Sequence, residues 1–468
     1  MKATLDFLLN GARVSLGGEN PARTLLAWLR EARGLAGTKE GCAEGDCGAC
    51  TVALADLDPA GKLRYQPVNA CILCLGTVEG KEVITVEALK KGQALHPVQQ
   101  AMVDCHGSQC GFCTPGFVMA LYAQYKSGVP TDLRDAIAGN LCRCTGYRPI
   151  LDAGKRAHEL ADREQEAAED QARAKRIAEL PKQTTRIGGF FSPLTLTEFA
   201  DHLVKHPKAT ILAGGTDAGL WITKQHRDLE EVAYIGRVAE LRQVQDNPSH
   251  FEIGAAVTYA EAYEALASIH PDIGELLRRL GAVQVRAAGT LAGNIANASP
   301  IGDSMPVLLA LDAMLVLQKG DATREARLAR FYTGYRQSVL LPGEFIRAIR
   351  VPKLAPGARF AAYKLAKRFD QDISAVCAAF HVDGSKARFG FGGMAATPAR
   401  ARKAEAAYAN GLEAACMALV TDFSPLSDQR ASAWYRIRAA QALLRKFHAG
   451  ASSRAILDMT PQIQDMTP

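Results

Sequence analysis

Ten of the 12 cysteines fall within residues 1–150, and their spacing sorts them into two sets. The first lies in Gly41-Cys42-Ala43-Glu44-Gly45-Asp46-Cys47-Gly48-Ala49-Cys50, a C-x4-C-x2-C run with Cys71 and Cys74 downstream. Three thiolates in a glycine-rich loop, with a fourth further on, match the ligation of a [2Fe–2S] cluster. Gly41, Gly45 and Gly48 let such a loop wrap tightly, so that backbone N–H groups face sulfur and stabilise the more negative reduced state. A structural zinc site would instead favour C-x2-C knuckles separated by a longer loop. Spacing alone does not choose between Cys71 and Cys74 as fourth ligand.

The second set is Cys110 and Cys113 in Ser108-Gln109-Cys110-Gly111-Phe112-Cys113-Thr114, with Cys142 and Cys144 in Asn140-Leu141-Cys142-Arg143-Cys144-Thr145-Gly146-Tyr147-Arg148. Four thiolates, two per iron, suit a second [2Fe–2S] centre, whereas the C-x-C pair strains chelation of one tetrahedral ion. Cys105 reads as a small buried bystander, His106 as structural, and Cys377 and Cys416 as core.

Two glycine-rich stretches offer a different chemistry. Ala209-Thr-Ile-Leu-Ala-Gly-Gly-Thr-Asp-Ala-Gly219 runs from an apolar strand into a turn of small residues, which can bring backbone N–H groups to a pyrophosphate. Residues 286–303 again combine small residues with amides. Neither is G-x-G-x-x-G, so a Rossmann reading is poor.

These residues need elements to hold them. Asn10-Gly11 between two apolar-rich runs predicts a hairpin, Thr24 an N-cap for a helix to Arg33, and Val83 to Val86 a closing strand. Residues 95–160 read as several short helices, and 161–179, rich in Ala, Glu, Asp, Arg and Lys, as a solvated, partly helical linker ended by Pro181. Strands and helices then alternate, and Ser432 to His448 is an amphipathic helix whose Trp434 and Phe447 read as core or subunit contact. The resulting organisation is 1–88, 89–160, a 161–184 linker, 185–355 and 356–460.

Composition bounds the whole. The 468 residues suggest about three domains at ~150 each. Hydrophobic residues at 48% and charged residues at 22% argue for packed cores rather than disorder. A net charge of +6 is small for this length and does not point to nucleic acid. No apolar run approaches the ~18 residues of a membrane span, and the start Met1-Lys2-Ala3-Thr4 opens no export signal. The expectation is a cytoplasmic chain that binds neither nucleic acid nor membrane, its clustered cysteines holding metal rather than disulfides.

The first cysteine run, Asn69-Ala70-Cys71, Gly107-Ser-Gln-Cys-Gly-Phe-Cys-Thr-Pro-Gly116 and Gly139-Asn-Leu-Cys-Arg-Cys-Thr-Gly-Tyr-Arg-Pro149 together resemble the xanthine dehydrogenase group of molybdenum hydroxylases, across residues 1–150. The resemblance implies an α+β multidomain chain: a ferredoxin-like β-grasp [2Fe–2S] domain, a helical-bundle [2Fe–2S] domain, an FAD domain of the vanillyl-alcohol-oxidase type, and a C-terminal α+β flavoprotein lobe. It points to Cys71 over Cys74, giving Cys42, Cys47, Cys50 and Cys71 for one cluster and Cys110, Cys113, Cys142 and Cys144 for the other. It places Gln109 against molybdopterin, with Tyr147 and Arg148 in the same helical cap.

Ala213-Gly-Gly-Thr-Asp217 and Gly289-Thr-Leu-Ala-Gly-Asn-Ile295, with Ser299-Pro300 and Asp303, resemble the family's FAD signatures. By that resemblance Ile211, Leu212, Ala213, Gly214, Gly215, Thr216, Asp217 and Ala218 line the pyrophosphate side, with Asp217 near the flavin ring in place of the glutamate some relatives carry. Thr290, Gly293 and Asn294 hold phosphate or ribose, Asp303 the ribityl chain, and Ala288 and Leu291 also bind FAD. Ile346 and Lys364 also contact flavin. Gln371 stands where vertebrate relatives carry an acidic residue in a loop that helps set NAD access, and Gly392-Gly-Met-Ala395 matches the start of the last lobe. Nothing after residue 450 resembles a molybdopterin domain. The family pattern therefore implies a small subunit with two [2Fe–2S] clusters and FAD. A large molybdopterin-binding partner would oxidise hypoxanthine or xanthine in purine catabolism, and NAD+ would be the acceptor. Electrons would run from molybdenum through the second cluster, the first cluster and FAD, in a dimer of two-subunit units. Members acting on aldehydes or other N-heterocycles share the pattern.

Overall fold

Asn10 and Gly11 both have positive φ, 54° and 85°, and join β1 (Leu5–Leu9) to β2 (Ala12–Leu16) in an antiparallel hairpin. A two-residue turn with both central residues left-handed matches the strand twist, and Asn-Gly adopts it at least cost. With β3 (Thr51–Leu57), β4 (Leu63–Asn69) and β5 (Glu82–Ile84), the sheet runs β2-β1-β5-β3-β4, its one parallel pair being β1 with β5. Its two faces bury different partners because side chains alternate along each strand. Leu5, Phe7 and Leu9 with Val52 and Leu54 pack on Leu25, Leu26 and Trp28, while Leu8, Ala53 and Ala55 pack on helical residues further along. Thr24 caps as expected, its Oγ1 accepting from Ala27 N–H at 3.2 Å, but the helix is α only over Leu25–Ala27 and widens to a π turn over Trp28–Ala32. This computed structural model describes residues 1–127 and 132–451.

Helices Pro97–Asp104, Thr114–Ser127, Leu133–Ile137 and Arg148–Glu159 follow. Phe117, Val118, Leu121 and Tyr122 of the second turn onto the sheet side that carries Ala53, Ala55 and Tyr65. His96 caps the first, its Nδ1 accepting from Val98 N–H at 3.2 Å while the ring lies edge-on to Tyr122 and Tyr125. Burial there, and secondarily the positive charge of Lys126, lower its pKa to about 4. A folded pKa below the unfolded ~6.5 means that only the unfolded chain takes up the proton as pH falls between these values. Stability is therefore complete above pH ~6.5 and declines by up to about 3 kcal/mol by pH ~4. His96→Asn keeps a capping acceptor and removes this titration. The drop in Tm from pH 7 to pH 5 should shrink in the variant, and an equal drop in both proteins would discard the assignment.

Residues 161–179, expected as a solvated, partly helical linker, are helical and also dock through their charges. Arg163–Ala178 is one helix, and its charged side chains meet partners on the domains before it. Arg173 Nε donates to Glu82 Oε2 at 3.0 Å, Lys126 pairs with Asp170 at 2.7 Å, and the hydroxyls of Tyr65 and Tyr125 donate to Asp170 and Glu166. Charge-rich composition reads as solvation when the complementary charges are remote in sequence.

The small lobe after this helix has the sheet order β6-β7-β9-β8, from β6 (Thr185–Ile187), β7 (Phe190–Ser192), β8 (Thr210–Leu212) and β9 (Val232–Tyr234). Helix Leu196–Lys205 opens with a reciprocal cap between Thr195 and Glu198. Contacts group these elements into one unit, Met1–Arg242 with Thr258–Ala260 and Gly281–Thr290; a second holds Gln243–Val257, Glu261–Leu280 and residues from Leu291 on.

The second unit contains two antiparallel sheets. One runs β10-β11-β16-β12-β13, from β10 (Val244–Asp246), β11 (His250–Gly254), β12 (Met314–Lys319), β13 (Ala322–Arg327) and β16 (Phe345–Pro352). β14 (Tyr332–Gly334) and β15 (Gln337–Ser338) form a separate hairpin. The other runs β17-β18-β19-β20, from β17 (Arg359–Leu365), β18 (Val376–Asp383), β19 (Lys386–Gly392) and β20 (Ala399–Arg400). Helices Leu412–Asp422 and Ala433–His448 cover it. Ser432 caps the latter, and Phe447 stacks on Phe380 at 5.3 Å. Trp434, expected with Phe447 as core or subunit contact, is 62% exposed and so is not core in this chain. It sits in the first turn, off the face defined by Ala440, Leu444 and Phe447. Residues 452–460 of the expected C-terminal lobe lie outside the described residues. Among those described, no helix is long and apolar enough to cross a membrane.

Candidate iron–sulfur and flavin sites

The loop before β3 gathers four sulfurs. Cys50 Sγ and Cys71 Sγ are 3.2 Å apart, and the Cys42 thiol is in hydrogen-bond contact with those of Cys47 and Cys71. The backbone N–H groups of Glu44, Asp46 and Cys47 donate to Cys42 Sγ at 3.4, 3.4 and 3.3 Å, and Cys42 N–H donates to Cys47 Sγ at 3.3 Å. The turn that aims them needs left-handed backbone at Gly45 (φ 77°) and Gly48 (φ 69°). Asn69 pins it, donating from Nδ2 to Gly45 O at 2.8 Å.

Thiols this close cannot all ionise without a cation among them. Hydrogen bonds from Cys47 and then Cys71 pull the Cys42 pKa down, while the same contacts push Cys47 and Cys71 up. An all-sulfur donor set with several backbone N–H groups aimed at it fits an iron–sulfur cluster. Cys74 is elsewhere: it is fully buried with Phe190, Leu212 and Tyr234, and burial alone pushes its thiol up to about 12.

The second set also converges. The Cys110 thiol contacts Cys144, and Cys113 contacts Cys142. Thr145 directs its N–H to Cys142 Sγ at 3.5 Å and places its hydroxyl 3.3 Å from the same sulfur. Tyr147, left-handed at φ 72°, accepts from Cys142 N–H at 3.1 Å and packs its ring edge-on to Phe117. Burial, then Cys142, raises the Cys113 thiol to about 12. Cys110 and Cys144 are exposed, as are Gln109 and Arg148. Cys105, expected to be buried, is half-buried at the C-terminal end of helix Pro97–Asp104, where the chain turns toward solvent. Cys377 and Cys416 are core, as expected.

In the first unit the glycine-rich turn meets the residues just before Leu291. Ile211 is 39% exposed and Leu212 buried at the end of β8, and residues 213–217 turn into helix Ala218–Thr223. Gly215 is left-handed at φ 74°. A Cβ on Gly214 would stand 2.0 Å from Ala288 O, and one on Gly289 would stand 3.4 Å from Thr216 Oγ1. The structure thus brings Gly214 and Thr216 against Ala288 and Gly289, a close backbone cradle with no room for a side chain at Gly214.

In the second unit, Leu291, Gly293 and Asn294 lie on helix Leu291–Asn297. Asn294 Oδ1 accepts from Ser304 Oγ at 3.1 Å. Asp303 and Lys364 form a buried ion pair at 2.7 Å. Ser374 Oγ donates to Asp303 Oδ1 at 2.5 Å, and Lys364 Nζ to Arg279 O at 3.0 Å. Ile346 is buried in β16 opposite Leu317. Arg279, which sequence reasoning missed, lays its guanidinium 4.3 Å from the Phe369 ring, in the loop that carries Gln371.

Residues 85–155 match the model of a [2Fe-2S] binding domain, 182–354 that of an FAD binding domain in molybdopterin dehydrogenase, and 361–451 that of a CO dehydrogenase flavoprotein C-terminal domain. A solved structure, reconstituted CO dehydrogenase from Oligotropha carboxidovorans, superposes with a TM-score of 0.52 at 26% identity, over 56% of this chain and 97% of that one. Domains and cysteine geometry together define an iron–sulfur flavoprotein, an electron-transfer part of an oxidoreductase. The chain is 35% identical to a xanthine dehydrogenase of Emericella nidulans, over 86% of this chain and 35% of that protein. It is 32% identical to a xanthine dehydrogenase/oxidase of Rattus norvegicus, over 81% and 33% respectively. The chain belongs to the molybdenum hydroxylase family, and it spans about a third of the length of these curated relatives.

Proposed function

We propose that the chain is the electron-transfer subunit of a cytoplasmic xanthine dehydrogenase, working with a molybdopterin-binding partner chain that oxidises hypoxanthine or xanthine, and with NAD+ as acceptor. Cys42, Cys47, Cys50 and Cys71 hold one [2Fe–2S] cluster, and Cys110, Cys113, Cys142 and Cys144 the other. When bound, these clusters would supply one-electron transfer and FAD the conversion to a two-electron hydride donor.

The chain's own residues hold and insulate. Backbone N–H groups at Cys42 Sγ offset negative charge on that thiolate. The cradle of Gly214, Thr216, Ala288 and Gly289, with Thr290 beside it, presents backbone to a pyrophosphate, and Asp303 with Lys364 orders the flavin side of the second unit. Gln109 and the exposed Cys110 and Cys144 face the partner chain, in a dimer of two-subunit units. The observation that carries the reading is the convergence of two four-thiol sets in one unit, tied together by the hydrogen bond from Leu141 N–H to Cys47 O at 2.9 Å. Support for the substrate comes from the xanthine dehydrogenase relatives.

The test is co-expression with the neighbouring large chain, then iron, flavin and molybdenum analysis and xanthine oxidation with NAD+, oxygen or a dye. About four iron and one FAD per chain with xanthine-dependent NADH formation is the expected result. Activity with an aldehyde or quinoline-type substrate, but none with xanthine, would move the chain to another branch of the family. Zinc without flavin would discard the relay.

A further inference from the structure

The segment Gly281–Thr290 makes a second set of contacts, away from its glycine-rich end. Gln284 is 1% exposed, and its Nε2 donates to Asn140 Oδ1 at 2.8 Å and to Thr51 Oγ1 at 3.3 Å. Asn140 is 2% exposed, and its Nδ2 donates to Gly48 O at 2.9 Å and to Thr51 Oγ1 at 3.3 Å. Thr51 Oγ1 in turn donates to Gly48 O at 2.6 Å. Gly48 belongs to the first cysteine loop, and Asn140 stands two residues before Cys142.

The backbone around this trio is pressed to contact. A Cβ on Gly139 would stand 2.0 Å from Gln284 Oε1, one on Gly48 2.2 Å from Gly139 O, and one on Gly116 2.3 Å from Gly48 O. Arg286, two residues on, fixes the same segment to the helical domain through Asp135 at 3.0 Å, and closes the segment on itself through Gly281 O at 3.2 Å. Gln284 Oε1 is buried without a partner, so the side chain is held through its Nε2 alone, and a slip that broke those two bonds would leave buried donors unpaired as well.

We propose that Gln284 is a positioning residue for electron transfer. Through Asn140 and Thr51 it locks the first cysteine loop against the second, and both against the segment that carries Ala288 and Thr290. It touches no cysteine. Its effect is on separation and orientation, to which tunnelling between centres is exponentially sensitive. The inference rests on the reading of the eight cysteines as cluster ligands.

The test is Gln284→Met in the full chain co-expressed with its partner. Methionine conserves volume and removes the donors. The readouts are iron and flavin content, the magnetic splitting between the two clusters in the EPR spectrum of dithionite-reduced protein, and the rate of flavin reduction by substrate. The expected result is full cofactor content with altered splitting and flavin reduction slowed tenfold or more. Asn140→Leu should do the same, and the double variant should be no worse than either. Wild-type splitting and rate in fully loaded Gln284→Met would reduce the trio to packing and overturn the proposal. Should Gln284→Met lose iron, Gln284→Asn, which keeps the amide but shortens its reach, decides by the same splitting. Iron-free wild-type protein would overturn the cysteine reading, and the proposal with it; iron-loaded wild-type protein with unaltered variants overturns the proposal alone.

Discussion

Cys47→Ser should remove one of the two [2Fe–2S] signals and take iron from about four to about two per chain. The Cys47 thiol lies against Cys42, accepts the Cys42 N–H, and sits in the turn that Gly45 and Gly48 shape. Serine keeps the turn but replaces a soft sulfur with a hard, weakly acidic oxygen that binds iron poorly. The second set is built from other segments and should keep its cluster. Substrate should still reduce the partner's centre, while NADH formation falls at least a hundredfold. Normal NADH formation would show that the relay does not pass through this loop. Cys74→Ser is the matched control. Its thiol has only apolar surroundings, so the change should cost about 1–3 kcal/mol of stability and leave both signals. Loss of a signal there would move the fourth ligand from Cys71 to Cys74.

The contrast between these two cysteines marks how far the sequence could be read. C-x4-C-x2-C, C-x2-C and C-x-C are local patterns, and a local pattern survives whatever the chain does between its repeats. The hairpin at Asn10-Gly11 and the cap at Thr24 were legible for the same reason: each is decided by a few adjacent residues. Choosing Cys71 over Cys74 was not local. It depends on where β4 ends and which way the next turn faces, and only family resemblance anticipated it. The helical character of Arg163–Ala178 was legible but its docking was not, because its partners, Tyr65, Glu82 and Lys126, are distant in sequence. Gln284 and Asn140 gave no signal at all. An amide in a stretch of small residues looks like a ligand contact or a loop, and its pairing across 144 positions exists only in the fold. The stretch 286–303 read only as small residues with amides, and its glycines and alanines gave no sign of the short helices Val283–Ala288 and Leu291–Asn297.

Lys364→Met tests whether Asp303 serves the fold, the flavin or both. Lys364 Nζ is 2.7 Å from Asp303 Oδ2, and the two side chains are only 2% and 8% exposed. Removing the ammonium leaves a buried carboxylate with Ser374 as its remaining side-chain donor, a loss of about 3–5 kcal/mol. The unfolding midpoint of the second unit should fall by roughly 10 °C. Asp303→Asn alone should cost less, because Lys364 keeps the Arg279 carbonyl and the amide still accepts a hydrogen bond. The double variant Lys364→Met/Asp303→Asn removes both charges, so it should recover most of the stability lost in Lys364→Met. Flavin content then separates the roles. An Asp303 that only neutralises Lys364 predicts that flavin returns with stability in the double variant. An Asp303 that also holds the ribityl chain predicts a stable double variant that has lost flavin affinity, with both [2Fe–2S] signals intact because the eight cysteines lie in the other unit. Full stability and full flavin in Lys364→Met would contradict the buried ion pair itself.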